Sequence, residues 1–151
     1  MRGDEVRLVV EFLDVLVRYE VALWSAVDQE LNGEGLVRLG HLHALRVVDR
    51  YDGQARVQDL SSDIGVTVGA ASKLVDRLER DGLAVRRPNP ANRRSSLIAL
   101  TSRGSEALTA ALEIARAAVD RALGDEDVKP LLAALGRLQA RLDDQGVGAA
   151  A

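Results

Sequence analysis

The sequence predicts a mostly α-helical chain carrying one small β-hairpin, and three observations predict it. Hydrophobic residues make up 47% of the 151 positions but aromatics only 3%, so the core must be built from Leu, Val and Ala, which suits packed helices better than stacked sheets. Apolar residues recur at three- and four-residue steps over most of the length, the spacing of one helix face. The long interruption of that spacing contains Pro88 and Pro90 between two short apolar runs, and prolines so placed forbid helix and suit a hairpin. A chain of this length makes one ordinary domain with a real core, so one cooperative unit is expected.

The elements follow in order. Val6, Val9, Leu13, Leu16, Val17, Glu20, Leu23, Trp24, Val27 and Leu31 lie on one face of a long first helix, which Asn32-Gly33 ends. A second helix is expected from about Leu36 to Asp49, with Leu39, Leu42, Leu45 and Val48 inward, closed by Asp52-Gly53. Val57–Ile64 makes a short helix stopped by Gly65. After the turn, Thr67 caps a helix reaching Arg80, with Ala71, Leu74, Val75 and Leu78 buried. Leu83–Arg87 and Ser96–Leu100 are the hairpin strands, joined through a protruding tip at residues 88–95. The helical period returns at Leu108, Leu112, Ala115, Val119 and Leu123, and again at Val128, Leu131, Leu132, Leu135, Leu138 and Leu142. Residues Gln145 to Ala151 are expected to fray.

The formal net charge of −3 hides a strong asymmetry. Residues 1–54 sum to −4, residues 55–103 to +4 and residues 104–151 to −3. From Leu83 to Arg103 there are five arginines and no acid, which is the footprint expected of a phosphate-binding surface. Absence of cysteine removes disulfides, thiolate-held metals and thiol redox sensing. The first residues carry charge with no apolar run behind them, and no stretch approaches the ~18 apolar residues of a membrane span, so a cytoplasmic protein is expected. No nucleophile stands beside a base, no metal cluster is present, and Gly33-Glu34-Gly35 with Gly40 misses the spacing of a nucleotide loop. An enzyme, a cofactor and a metal site are therefore not expected. His41 and His43, two apart on a helix, point about 200° from each other and cannot grip one ion.

Two helices, a helix-turn-helix, a hairpin and two more helices describe a DNA-binding lobe between helical flanks. A helix-turn-helix lays its second helix in the major groove. Leu60, Ile64 and Val66 would brace Leu74 and Leu78, leaving Val68, Gly69, Ala70, Ser72, Lys73, Asp76 and Arg77 outward. Ser72 and Lys73 then reach base edges or phosphate, Ala70 a thymine methyl, and Arg77 the backbone. Arg93 and Arg94 at the hairpin tip are the candidates for the minor groove, and Arg86, Arg87 and Arg103 for phosphates. The Leu-Ala-rich outer helices have little core of their own to cover, so a two-fold homodimer reading a palindromic site is expected.

The run VQDLSSDIGVTVGAASKLVDRLERDGLAVRRPNPANRRSSLIALTSRG resembles the winged helix-turn-helix of the MarR family, which has a similar LVDRLE-x-x-GLV phrase, a D-P-x-D-R-R wing and a following L-T-x-x-G. The resemblance covers roughly residues 55–105 and implies three parts: N-terminal helices at 1–54, a DNA-binding lobe at 55–103 and C-terminal dimerisation helices at 104–151. It also implies a repressor of double-stranded operator DNA, relieved by a small ligand in a cleft between the dimer helices and the DNA-binding lobe. By position that cleft takes Trp24, His41, His43, Arg46 and Tyr51, suited to an aromatic acid or phenol, although packing in the core is the other reading of Trp24. The chain departs from the family's pattern in two places. Asn89 and Asn92 replace aspartates, the second of which pairs with a wing arginine, leaving Arg94 at best an amide partner. Val68, Gly69 and Ala70 replace polar residues at the start of the recognition helix, which motivates an alternative: a protein-interaction or architectural module with weak, non-specific DNA binding.

Overall fold

The computed structural model describes residues 3–146. It is a helical chain with one antiparallel hairpin: α1 (Gly3–Gly33), α2 (Leu39–Arg50), α3 (Val57–Ile64), α4 (Val68–Arg80), β1 (Ala84–Pro88), β2 (Ser96–Leu100), α5 (Ser102–Leu123) and α6 (Val128–Asp144). The mostly α winged helix-turn-helix predicted from the sequence is the fold observed. The expected fraying of the tail concerns, beyond Gly146, residues outside those described.

Local chemistry explains most boundaries. The Thr67 side chain accepts the Ala70 N–H and starts α4, as a cap of that type should. Gly65 ends α3 in the left-handed region at φ 77°, where glycine carries no Cβ penalty. The Ser61 hydroxyl then donates to the Val66 carbonyl at 2.6 Å, tying the turn to the helix before it.

Two boundaries were set by longer-range contacts. Helix α2 starts at Leu39 and not Leu36, because Asp28 of α1 reaches across to accept the Leu39 N–H at 2.8 Å and pairs with Arg38. Leu83 is not yet strand: its N–H donates to the Leu78 carbonyl at 2.8 Å and closes the end of α4. The hairpin therefore pairs Ala84 with Leu100 through Pro88 with Ser96. Ala55 adds a bridge to Ile98 on the other side of β2.

The core lies where α2, α3, α4 and β2 meet, with Leu31, Leu45, Val48, Leu60, Val75, Leu78 and Ile98 fully enclosed. Leu39, Leu42, Leu45 and Val48 are all buried as their spacing requires. Thr101 and Gly104 lock α5 onto this core. The Thr101 hydroxyl donates to the Gly82 carbonyl at 2.7 Å while accepting the Gly104 N–H at 3.0 Å. A Cβ at Gly104 would lie 1.9 Å from the Leu83 carbonyl oxygen, so only glycine allows this approach.

Outside that core two helices present apolar surface to solvent. Helix α6 buries none of its residues, and Leu131, Leu132, Leu135, Leu138 and Leu142 are exposed. Among the described residues of α1 only Val27 and Leu31 are buried, while Leu8, Phe12, Val15 and Tyr19 are exposed on one side and Val6, Val10, Leu13, Val17 and Val21 on the other. At 3.6 residues per turn these cover an arc of roughly 240°, wider than the ~100° stripe a single core contact needs. No described helix is long and apolar enough to cross a membrane.

Candidate nucleic-acid interface

Helix α4 buries Ala71, Val75 and Leu78. The helical period then directs Gly69, Ala70, Lys73, Arg77 and Arg80 away from the core, and all five are exposed. Arg80 was not singled out by sequence reasoning, although its spacing from Lys73 and Arg77 is that of one face. Ser72 is rotated toward the hairpin and half-buried. Its carbonyl accepts from Arg86 at 3.5 Å.

Arg86 differs most from its expected role. Its guanidinium pairs with Asp76 at 2.8 Å and with Glu79, and its backbone N–H donates to the Glu79 carboxylate at 2.8 Å. A cation engaged by two carboxylates is not available to a phosphate, so Arg86 fixes the hairpin against α4. Asp76, expected to point outward, is the other end of that tie.

The tip of the hairpin is a tight turn built by the two asparagines. Asn89 accepts the Ala91 N–H and donates to Ser95 Oγ at 2.9 Å, and Asn92 Oδ1 accepts the Arg94 N–H at 3.0 Å. The amide bond expected for the Arg94 side chain is thus made to its backbone. The side chains of Arg93 and Arg94 remain exposed without an ion pair among the described residues, as do those of Arg87 and Arg103.

Between the hairpin and α4 runs a groove of about 400 Å³ lined by Arg56, Gln58, Ser72, Arg86, Arg94 and Ser95 among others. Arg56 and Gln58 were missed by sequence reasoning. Nothing local marks them, because the start of α3 meets the wing only through the tertiary fold. Arg56 closes a capping box with Asp59 and pairs with it at 3.0 Å. That bond, the largest cause, holds the Asp59 carboxyl below the usual carboxylate range.

A second cavity, of about 470 Å³, opens between α1, α2 and α5. Its lining includes Trp24, His43 and Arg46 from the predicted effector set, together with Glu20, Leu112 and Arg116. Trp24 is 44% exposed and stacks flat on His43, with ring centroids 5.5 Å apart and planes 4° from parallel. Packing in the core, one of its two readings, is not where this chain places it. Burial, and then the nearby Arg46 charge, push the His43 pKa down.

The other two predicted lining residues lie elsewhere. His41 faces a separate groove with Arg38, Asp81 and Arg103, because two residues apart on α2 means opposite sides. Burial lowers its pKa too. Tyr51, past the end of α2, packs against the core beside Asp63, and burial followed by that charge raises its phenol.

Residues 37–96 match the sequence profile of the MarR family. Among curated proteins no sequence relative was found. Solved structures with the same fold include a MarR-family transcriptional regulator from Rhodococcus sp. RHA1, at 25% identity and TM-score 0.77 over 88% of this chain and 93% of that one. CouR from Rhodococcus jostii RHA1, solved with p-coumaroyl-CoA, matches at 25% identity and TM-score 0.74 over 83% and 87%. A mutant MarR from E. coli, complexed with operator DNA, matches at 16% identity and TM-score 0.75 over 89% and 94%. With residues 37–96 matched by the MarR family profile and most of its length matched in fold, the chain carries a MarR-type winged helix-turn-helix and shares the fold of MarR-family transcriptional regulators.

Proposed function

We propose that the chain is a cytoplasmic, homodimeric, sequence-specific DNA-binding regulator, a repressor of a palindromic operator that a small aromatic anion releases. One observation carries the reading. Of the nine basic residues between 55 and 103, only Arg56 and Arg86 are ion-paired among the described residues. The other seven are left to solvent along the outward side of α4, the hairpin and the start of α5, which is costly self-repulsion unless a polyanion lies against them.

In this reading Lys73 and Ala70 face base edges in the major groove, Ser72 lies at the hairpin side of the same helix, and Arg77 and Arg80 hold the backbone. Arg93 and Arg94 enter the minor groove, where narrow A·T tracts concentrate negative potential. Arg87 and Arg103 contact phosphates, and Arg86 positions the wing. The parts are those expected from the sequence: residues 1–54 and 104–151 dimerise, and 55–103 bind DNA. The wide apolar arc of α1 and the wholly unburied α6 support the dimer, since a second copy inserting helices on both sides of α1 would cover them. The E. coli protein bound to operator DNA supports the DNA partner by its fold. The cleft of Trp24, His43 and Arg46 pairs a flat aromatic platform with cations, which suits an aromatic carboxylate or its thioester; CouR with p-coumaroyl-CoA supports that class.

Fluorescence anisotropy of the full chain against its own upstream intergenic duplex and a scrambled duplex, across several salt concentrations, tests the proposal. A preference of roughly 10³-fold or more with a clear salt slope upholds it. Weak, equal binding to both duplexes favours the second reading, an architectural or protein-interaction module, whose motivation is the apolar start of α4 at Val68, Gly69 and Ala70. A thermal-shift screen that finds no stabiliser among aromatic acids and their thioesters would remove the effector assignment.

A further inference from the structure

The first turn of α4 carries a feature that the intrachain structure does not require. Val68 is 52% exposed, an apolar side chain on the outer end of a helix with no core to enter. Gly69 follows it, yet a Cβ there would meet nothing within 4 Å, and its φ is not in the left-handed region. Glycine weakens a helix at such a position and alanine would be preferred. Next comes Ala70, whose N–H already occupies the Thr67 hydroxyl. Hydrogen-bonding capacity on the outward side of the first two turns therefore reduces to Lys73, with Ser72 turned toward the hairpin. Along the outward side of the same helix stand Lys73, Arg77 and Arg80, all exposed and without an ion pair among the described residues, so whatever covers it is polyanionic. A polyanion that presents apolar groups to a helix end is duplex DNA, whose major groove exposes the C5 methyl of each thymine.

We infer that Val68 and Ala70 read thymine methyl groups, and that the missing side chain at Gly69 is the clearance that lets the start of α4 approach the base edges. The inference rests on the DNA-binding reading above and specifies its readout. Each half-site then contains one or two thymines recognised by shape and apolar contact, with Lys73 the sole hydrogen-bonding base reader of the first two turns.

The test uses the tightest duplex that the full-length chain selects from a random pool, with each thymine replaced singly by deoxyuridine, which deletes only the methyl. Replacement of a contacted thymine is expected to weaken binding about fourfold, the worth of one buried methyl group, while replacement outside the footprint changes nothing. Val68→Ala is expected to shrink that penalty at the same thymine. Gly69→Ala is expected to melt at or above the wild-type temperature yet to bind the selected duplex about tenfold more weakly, as overpacking of a close contact would. Selective, salt-dependent binding indifferent to uracil at every position, or wild-type affinity of Gly69→Ala, overturns the inference and leaves the DNA-binding reading standing. Failure to bind any duplex with a salt dependence removes both.

Discussion

Gly104→Ala isolates the contact that joins α5 to the segment leading into the hairpin. The added Cβ would lie 1.9 Å from the Leu83 carbonyl oxygen and 2.9 Å from its carbon. Both partners are backbone, so no rotamer change relieves the overlap, and reaching even a 3.0 Å contact requires α5 to withdraw by about 1.1 Å. That withdrawal pulls directly on two hydrogen bonds: Thr101 N–H to the Leu83 carbonyl at 3.1 Å and the Thr101 hydroxyl to the Gly82 carbonyl at 2.7 Å. Loss of two such bonds costs about 2 kcal/mol net, and residual overpacking adds about 1–3 kcal/mol. Alanine's better helix propensity returns about 1 kcal/mol. The net destabilisation is about 3 kcal/mol, which for a chain of this size lowers the melting temperature by roughly 6–12 °C. Circular dichroism melts of wild type and variant at one and the same protein concentration measure it, which keeps any self-association equal between the two. Gly69→Ala is the matched control, a helical glycine with open space above it, expected to gain about 0.4–1 kcal/mol. A Gly104→Ala variant melting at or above wild type would show that the close approach of α5 to Leu83 does not constrain the fold.

Arg86→Ala leaves the Asp76 and Glu79 carboxylates facing the hairpin without their shared cation, so it is expected to lower stability by about 1–2 kcal/mol and to weaken operator and scrambled duplex alike; unchanged melting would refute the tie. Removal of both tip cations in Arg93→Ala/Arg94→Ala is expected to leave the melt unchanged, cost at least about tenfold in operator affinity, and flatten the salt dependence by about one unit for each phosphate no longer neutralised. Equal affinity to wild type would dismiss the wing as a DNA-binding element. His43 titrates below its ordinary value, first through burial and then through Arg46. The unfolded chain therefore binds the proton more readily than the folded one, and stability is full above about pH 6.5 and falls as the pH drops through the folded value. His43→Phe preserves the stack on Trp24 and is expected to reduce the fall in stability between about pH 7 and 5 to the share that His41, also lowered by burial, contributes; an unchanged slope would place the dependence elsewhere.

The alternation of apolar spacing, caps and breakers made the architecture legible, because these signals act over a few residues. Thr67 starts α4 and Gly65 ends α3 wherever the chain is placed, and two prolines exclude a helix from the wing. The concentration of arginine between Leu83 and Arg103 pointed to the interface for a similar reason: charge composition survives folding. What each cation does there did not survive so simply. Arg86 and Arg87 are neighbours in sequence and opposite in face, since successive strand residues alternate sides, and only the register of β1 beside α4 turns Arg86 onto Asp76 and Glu79 and leaves Arg87 outside.

The cleft shows the same division. Trp24, His43 and Arg46 are brought together by the crossing of α1 and α2, while the period that put His41 two residues away also put it on the far side of the helix. Arg56 and Gln58 entered the interface because α3 packs beside the wing, a contact with no local signal. Asp28 set the start of α2 from a helix away. The sequence by itself determined the elements, their order and the basic character of the winged lobe, all properties of short-range periodicity and composition. The tertiary structure decided which side chains meet, which cations are paired and how closely α5 may approach Leu83, because those depend on the register between segments that the chain brings together only when folded.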